Sequence, residues 1–507
     1  MKRTGLSTNF KKALRRTRVP QRPACEFGRG ARTIVTHYIQ NFGCEKVCGT
    51  MFSARRRKRH ARGVSSPERP DKMTMHFTND SMNFHSRIGL ATLLAMLLSL
   101  SARAADWPQW RGPNRDNVWN ETGILRTFPN KGLKFRWRTP VGPGWTSPVV
   151  VQGRVYLTDM RLDKPKAWER ILCFKESTGK LLWSREYELV YPEFAFNPEQ
   201  GGGPAATLIV EAGKVYWQGR SGQVDCLDAR SGKVIWEIHL DTKYTVGILS
   251  VRGSPLIEGN LLILVAGAEP GGCVIALDKR TGKEVWKALD DPKSSSSPLI
   301  VVAGGKRQLI VWTGSSVTSL NPATGETYWR EMMVTSGNDS IPTPVIQKNR
   351  LLISGLMFEL NADAPTAKAL WPDSMAPSKR LLSNTSSPML QGDYVYSAKS
   401  SGELVCLEAS TGKQLWGTTN VTESKFGASI HLTPNGDVTF LFTDEGNLII
   451  ARLTPDGYHE LSRVHLLKPT SDLMKRKLAW VPPVYVNRCI FARNDEELIC
   501  ASLAAKP

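Results

Sequence analysis

Apolar and polar residues alternate in short runs along most of the chain, and the runs return in a fixed order. The stretch from Cys406 to Trp416 reads CLEASTGKQLW. It is repeated as CFKESTGKLLW from Cys173, CLDARSGKVIW from Cys226, ALDKRTGKEVW from Ala276 and SLNPATGETYW from Ser319, and a worn copy ends at Trp371. Each arm has the two-residue period of a half-buried strand. The polar middle closes on Gly, which reaches the positive φ of a short hairpin loop without steric cost. The phrase predicts a β-hairpin whose second strand ends in Trp. A second phrase lies upstream: SPVVVQGRVYLTD from Ser147, SPLIEGNLLILV from Ser254, SPLIVVAG from Ser297, TPVIQKNRLLIS from Thr343 and SPMLQGDYVYSA from Ser387, with weaker versions at Ala205, Ala428 and Pro482. It predicts two more strands joined by a tight turn.

The spacing sets the repeat unit. Trp137, Trp183, Trp236, Trp286, Trp329, Trp371 and Trp416 stand 46, 53, 50, 43, 42 and 45 residues apart, close to one four-stranded propeller blade. Eight upstream phrases predict eight blades. The last copy, PPVYVNRCIFARNDEELICASL, supplies three strands and no Trp strand, whereas LKFRWRTPV from Leu133 supplies a Trp strand with nothing before it. Each completes the other. The expected fold is all-β: an eight-bladed β-propeller of four-stranded antiparallel blades over 133–507, closed by the N-terminal strand completing the last blade. Closure removes the open edges that a solenoid would have to cap. The marker tryptophans are expected to fill the wedges between blades, as structural residues.

The region ahead of the ring changes the charge picture. The formal net charge is +21, but residues 1–104 hold 21 basic and 5 acidic groups, leaving 46 and 41 from Ala105 onward. The ring is therefore close to neutral, which excludes nucleic acid as its partner. Residues 1–81 carry 19 Lys or Arg against 5 acids, densest at Arg55–Arg59, with no sustained apolar period. They read as a basic disordered extension, or as sequence upstream of a true start at Met75 or Met82. From Arg87 the text RIGLATLLAMLLSLSARA has the form of a secretory leader, so 82–104 is expected to be cleaved after Ala104. Its apolar core is short for a membrane span. The expectation is an exported, soluble protein in the periplasm or outside, with no direct span after cleavage. An uncleaved anchor with a cytoplasmic basic side is the rival.

Residues 105–132 form a separate strap. Its text DWPQWRGPNRD is expected to plug the outer wall or one end of the ring, held by Trp burial and Arg–carboxylate pairs; a binding loop is the other reading. Cys173, Cys226, Cys406 and Cys500 take the same place in four repeats, where Ala276 and Ser319 stand in others. A position shared by Cys, Ala and Ser is a small buried slot, and its copies lie too far apart in a ring to share a metal. A disulfide from Cys273 has no support in the spacing. Three connections are long: 184–204, 241–253 and 465–482. If the Trp strand is outermost, the links between blades all emerge on one face. Tyr187, Tyr191, Phe194 and Phe196 then form either an exposed aromatic patch for a partner or a lid over the ring mouth.

The repeat xxCLDxxTGKxxW with its upstream SPVV-x-G-x-VY phrase resembles the pyrroloquinoline-quinone-like propeller family from about Leu133 to Leu503. The opening WPQWRGPNRD resembles exported members found in planctomycete-type bacteria. The resemblance implies eight blades docked by repeat tryptophans. It points to two functional groups: the quinoprotein alcohol and glucose dehydrogenases, and the non-enzymatic scaffold subunit of the outer-membrane β-barrel assembly machinery. The dehydrogenases use adjacent disulfide-bonded cysteines, a calcium held by Glu, Asn and Asp, and an Asp base. This chain has no adjacent cysteines. Asp339, Glu193, Asp225 and Glu423 are loop or strand carboxylates that chance placement explains equally, so no catalytic, cofactor or metal residue is assigned. The scaffold subunit is a lipoprotein, and no Cys follows the leader here. The main expectation is a non-enzymatic periplasmic binding or scaffolding propeller with a protein partner on the long-loop face and no cofactor. Alternatives are a divergent dehydrogenase using pyrroloquinoline quinone with calcium, and a glycan-associated module.

Overall fold

A computed structural model describes residues 105–507 except 165, 191–202, 248–250, 294, 335–340, 373–381, 384, 426, 474–475 and 506–507. The predicted leader and basic extension lie outside the described residues. Eight antiparallel blade sheets follow one another, seven of four strands and the third with a fifth short strand, Thr245–Val246, beside Leu261–Glu269; blades 1 to 7 are built in chain order from first to fourth strand. Blade 1 runs Val149–Val151, Arg154–Asp163, Lys166–Lys175 and Leu181–Val190. Blade 8 takes Val484–Val486, Cys489–Arg493 and Glu497–Ser502, and its fourth strand is Phe135–Pro140. Trp137 pairs with Cys500 across that junction, so the N-terminal strand closes the ring. First strands of neighbouring blades touch, as in blades 1 and 2 and in blades 5 and 6, which places them innermost.

Each blade is too thin to shield both its faces, so the core lies between blades. The marker tryptophans supply much of it. In blades 1 to 4 the Trp of the outermost strand faces a small slot: Cys173 opposes Trp183, Cys226 opposes Trp236, Ala276 opposes Trp286 and Ser319 opposes Trp329. In blades 1, 2, 6 and 8 an aromatic of the second strand lies on the slot's other side: Tyr156 opposes Cys173, Tyr216 Cys226, Tyr396 Cys406 and Phe491 Cys500. Where two rings flank the position it holds Cys; it holds Ala276 or Ser319 opposite Ile263 and Ile310, and Met357 where Leu352 replaces the second ring.

The indole then reaches into the next blade. Trp137 donates to Glu176 O at 2.6 Å, Trp236 to Lys279 O at 3.1 Å, Trp286 to Pro322 O at 3.1 Å and Trp371 to Ala409 O at 2.9 Å. Trp183 and Trp416 do the same to Ala229 O and Thr454 O. The hairpin glycine has a second role beyond its φ. A Cβ on Gly282 would stand 2.8 Å from Trp236 Cε3, and Gly179, Gly232, Gly325 and Gly412 meet the preceding blade's Trp in the same way. Trp329 departs from the rule. The next hairpin, Asn361 to Thr366, has no Gly, and the Trp329 indole bonds Gln308 Oε1 of its own blade at 3.0 Å.

Two expectations about the connections change. Ser184–Val190 is strand, because blade 1 extends its last three strands to ten residues each. Tyr187 is on that extension and is buried, not exposed. Its ring stacks on Trp217 of blade 2 with centroids 5.0 Å apart, and its hydroxyl donates to Asp225. An aromatic strand residue beside a neighbouring sheet loses more by solvation than by packing inward. Tyr191, Phe194 and Phe196 lie outside the described residues.

Candidate functional site: the axial channel and its two mouths

The first strands enclose an axis, and three layers of polar groups are stacked along it. The middle layer explains the Ser-Pro and Thr-Pro phrases. Ser147 N–H donates to Thr207 Oγ1 at 3.1 Å, Thr207 N–H to Ser254 Oγ at 3.0 Å, and Ser254 N–H to Ser297 Oγ at 3.0 Å. Thr343 N–H continues to Ser387 Oγ at 3.0 Å. Each hydroxyl satisfies a buried N–H of the preceding blade where no sheet partner exists. Sequence reading located these residues and missed their role, because the partner is 43 to 60 residues away.

One mouth is sealed by the strap. Trp107 exchanges both backbone bonds with Val150 of blade 1, at 2.7 and 3.0 Å, and Pro108 O accepts from Val210 of blade 2. Trp110 Nε1 reaches Thr343 Oγ1 of blade 5 at 2.8 Å. Arg115 Nη1 donates to Pro255 O at the head of blade 3 at 2.9 Å, and Asn117 Nδ2 donates to Leu432 O of blade 7 at 2.7 Å. A segment touching the innermost strands of blades 1, 2, 3, 5 and 7 must cross the axis. Asp106 accepts from Gln152 N in the first turn of blade 1, and Glu121 from Asn487 and Arg488 N in that of blade 8. The strap thus lies at the end of the ring, on the face of those turns. The expected Arg–carboxylate pairs are replaced by bonds to carbonyls: Arg111 Nη2 donates to Asp116 O at 3.2 Å, and Arg115 to Pro255 and Ser254. Inner-strand ends offer carbonyls and no carboxylate at this level. Burial lowers Arg111 to about 10; burial and the Arg111 charge lower Arg115 to about 9.

The opposite mouth carries the turns between second and third strands and the links between blades. Buried ion pairs ring it. Arg170 forks onto Asp159 at 2.7 and 2.6 Å, and Arg493, fully buried, donates to Thr158 O at 3.1 Å and to Gly142 O. Arg220 Nη1 donates to Gly203 O at 2.9 Å, 5.8 Å from the Trp145 ring centroid. Asp291 accepts from Arg330, Thr313 and Ser316; Asp444 pairs with Arg476 at 2.6 Å and accepts from Thr422 at 2.8 Å. His431 lies on the blade 7 inner strand, bonded to Trp480 O at 3.0 Å, and burial lowers it to about 4. It is neutral at pH 7.

Of the four carboxylates considered in the sequence, the two among the described residues stand apart. Asp225 sits between blades 1 and 2 under Tyr187 and Gln223, with burial raising it to about 6. Glu423 is exposed and paired with Lys425. Asp339 and Glu193 lie outside the described residues.

The model of the family described as outer membrane protein assembly factor BamB matches residues 167–418 and 357–458. The chain belongs to this family. The BamB-family propeller is also the frame of quinone enzymes. The chain is 31% identical over 210 residues to the dehydrogenase subunit of the quinone alcohol dehydrogenase of Gluconobacter oxydans, covering 38% of this chain and 26% of that one. The BamB structure from Moraxella catarrhalis superposes with TM-score 0.50 at 16% identity, covering 73% of this chain and 99% of that one. The quinohemoprotein alcohol dehydrogenase of Comamonas testosteroni superposes at 0.57 and 15% identity, covering 82% of each. These superpositions show the fold. The chain spans between a fifth and just over half of the curated relatives it matches.

The donor set of this BamB-family chain does not fit a calcium-bound quinone. Among the described residues no three His, Cys, Asp or Glu side chains group as metal ligands. The carboxylates at the link-side mouth, Asp159, Asp291 and Asp444, are each held by an arginine. A carboxylate engaged in that way already spends its oxygen lone pairs on the guanidinium, leaving few for a metal. Among the described residues no helix is long and apolar enough to cross a membrane.

Proposed function

We propose that this protein is a non-enzymatic binding propeller of an exported compartment, holding a protein partner on the link-side face. The observation that supports this is the asymmetry of the axis. The strap takes up the inner-strand ends at one mouth, while the other presents the links, with arginines fixed by buried partners. Rigid blades hold such links in register for recognition. The partition into 1–81, a leader at 82–104, a strap at 105–132 and the ring belongs to the same proposal, as does release after Ala104.

A quinone-dependent dehydrogenase is the second reading. It is favoured by the curated relatives, several of which are quinone alcohol dehydrogenases.

One preparation separates the two. The full chain is produced in cells supplied with quinone, exchanged into calcium, and its mass, bound quinone and dye-linked alcohol oxidation are measured. A photo-crosslinking residue is placed at Glu423 on the link side or at Asp437 on the strap side. The binding reading expects no stoichiometric quinone, no turnover, and a partner crosslinked from position 423 and not from 437. Stoichiometric quinone with turnover overturns it. A mass that retains residues before Ala105 overturns the processing assignment.

A further inference from the structure

Blade 8 differs from the other blades at one position beside the slot. The slot cysteine of its third strand, Cys500, faces Phe491, as Cys173 faces Tyr156 and Cys406 faces Tyr396. Two residues before each of these aromatics stand Arg154 in blade 1, Tyr394 in blade 6 and Cys489 in blade 8. A two-residue step along a strand keeps the side chain on the same face, so that position is the diagonal neighbour of the slot. The contact is real in blade 1, where Arg154 Nη1 lies 3.7 Å from Cys173 Sγ. In blade 8 the same diagonal brings two thiols together. Cys489 and Cys500 are fully buried in one apolar cluster with Trp137 and Phe491.

We propose that Cys489 and Cys500 are a disulfide-forming pair that staples the second and third strands of the ring-closing blade. The register sets Cys489 opposite Ser502 and Cys500 opposite Phe491, so both thiols point to one face within the same buried cluster; in keeping with that, hydrogen bonding between them lowers Cys489 and pushes Cys500 up. All six described cysteines, Cys489 and Cys500 included, are buried free thiols here, and only these two stand on one diagonal of the same sheet. The Cys489 thiolate attacks the disulfide of a thiol–disulfide oxidant such as oxidised glutathione. Cys500, losing its proton, displaces the mixed disulfide. One S–S bond forms, two protons leave, and the oxidant accepts two electrons to become two thiols. Both sulfurs are shielded in the closed ring, so the exchange takes place before blade 8 packs.

The test uses the full chain produced in a host with an oxidising cytoplasm, denatured without reductant, alkylated and digested. The expected result is one peptide pair joined through Cys489 and Cys500, two hydrogens lighter than its parts, with Cys173, Cys226, Cys273 and Cys406 alkylated. C489S is expected to leave Cys500 fully alkylated and to abolish the difference in urea midpoint between oxidised and reduced protein. Quantitative alkylation of both Cys489 and Cys500 in the wild-type preparation overturns the proposal. So does a linkage of either one to another cysteine.

Discussion

Gly282→Ala tests the docking of one blade on the next. Gly282 has φ of +73°, and a Cβ there would meet Trp236 Cε3 at 2.8 Å and Cδ2 at 3.0 Å. A non-glycine residue in the left-handed region costs about 1–2 kcal/mol. Overpacking against a ring held by its own hydrogen bond adds about 1–3 kcal/mol. Gly213→Ala is the control. Its φ is +75°, and nothing lies within 4 Å of a Cβ there. It should cost only the first contribution. The difference between the two variants, about 1–3 kcal/mol, isolates the contact with the indole. Urea unfolding of both variants, with and without Trp236→Ala, forms the cycle. Removing the ring costs about 3–5 kcal/mol by itself, but in that background Gly282→Ala should fall to the cost of Gly213→Ala. If Gly282→Ala is no worse than Gly213→Ala, or if its cost is unchanged without the ring, the close approach is not what selects glycine.

Asp225 has a folded pKa raised by burial to about 6 from 3.8, so its stabilising protonation is fully present below about pH 4 and is lost as pH rises through 6. Asp225→Asn should flatten the pH dependence of the urea midpoint across that window, and an unchanged slope would remove Asp225 as its source. Ser254→Ala deletes the hydroxyl that accepts from Thr207 N–H at 3.0 Å. It leaves a buried donor unmet, at a cost of about 1–3 kcal/mol, whereas Ser254→Thr should retain most of the stability; equal losses in the two variants would contradict the hydroxyl girdle.

What the sequence made legible was local or periodic. The Trp spacing, the eight upstream phrases and the missing last strand each follow from counting along the chain, and the closure of Phe135–Pro140 on Glu497–Ser502 follows from them. What stayed hidden depends on neighbours in space. The Ser and Thr hydroxyls of the upstream phrases act on the preceding blade. The hairpin glycines looked like ordinary turn residues, because their contact is an indole from another repeat. Trp329 looked like its siblings, yet the blade it should enter lacks the glycine hairpin. At the candidate site the strap was legible as a plug by its Trp and Arg content. Its partners were not, since backbone carbonyls at strand ends have no residue signature. Tyr187 misled because a strand that outgrows its repeat resembles a loop rich in aromatics.

The joint between Phe135–Pro140 and Glu497–Ser502 also sets an order of events. Among the described strands, the first in the chain is the one that waits longest for its mate, and the strap ahead of it is in the same position, bound to blades 1, 2, 3, 5, 7 and 8. Until the strands between Val484 and Ser502 are in place, seven blades have a bare sheet edge at one end and an orphan strand at the other. Like a barrel hoop, the assembly gains its tension only when the last rivet is set. A chain that stops a few residues short of Ser502 therefore loses more than those residues: it loses the seat for its own beginning.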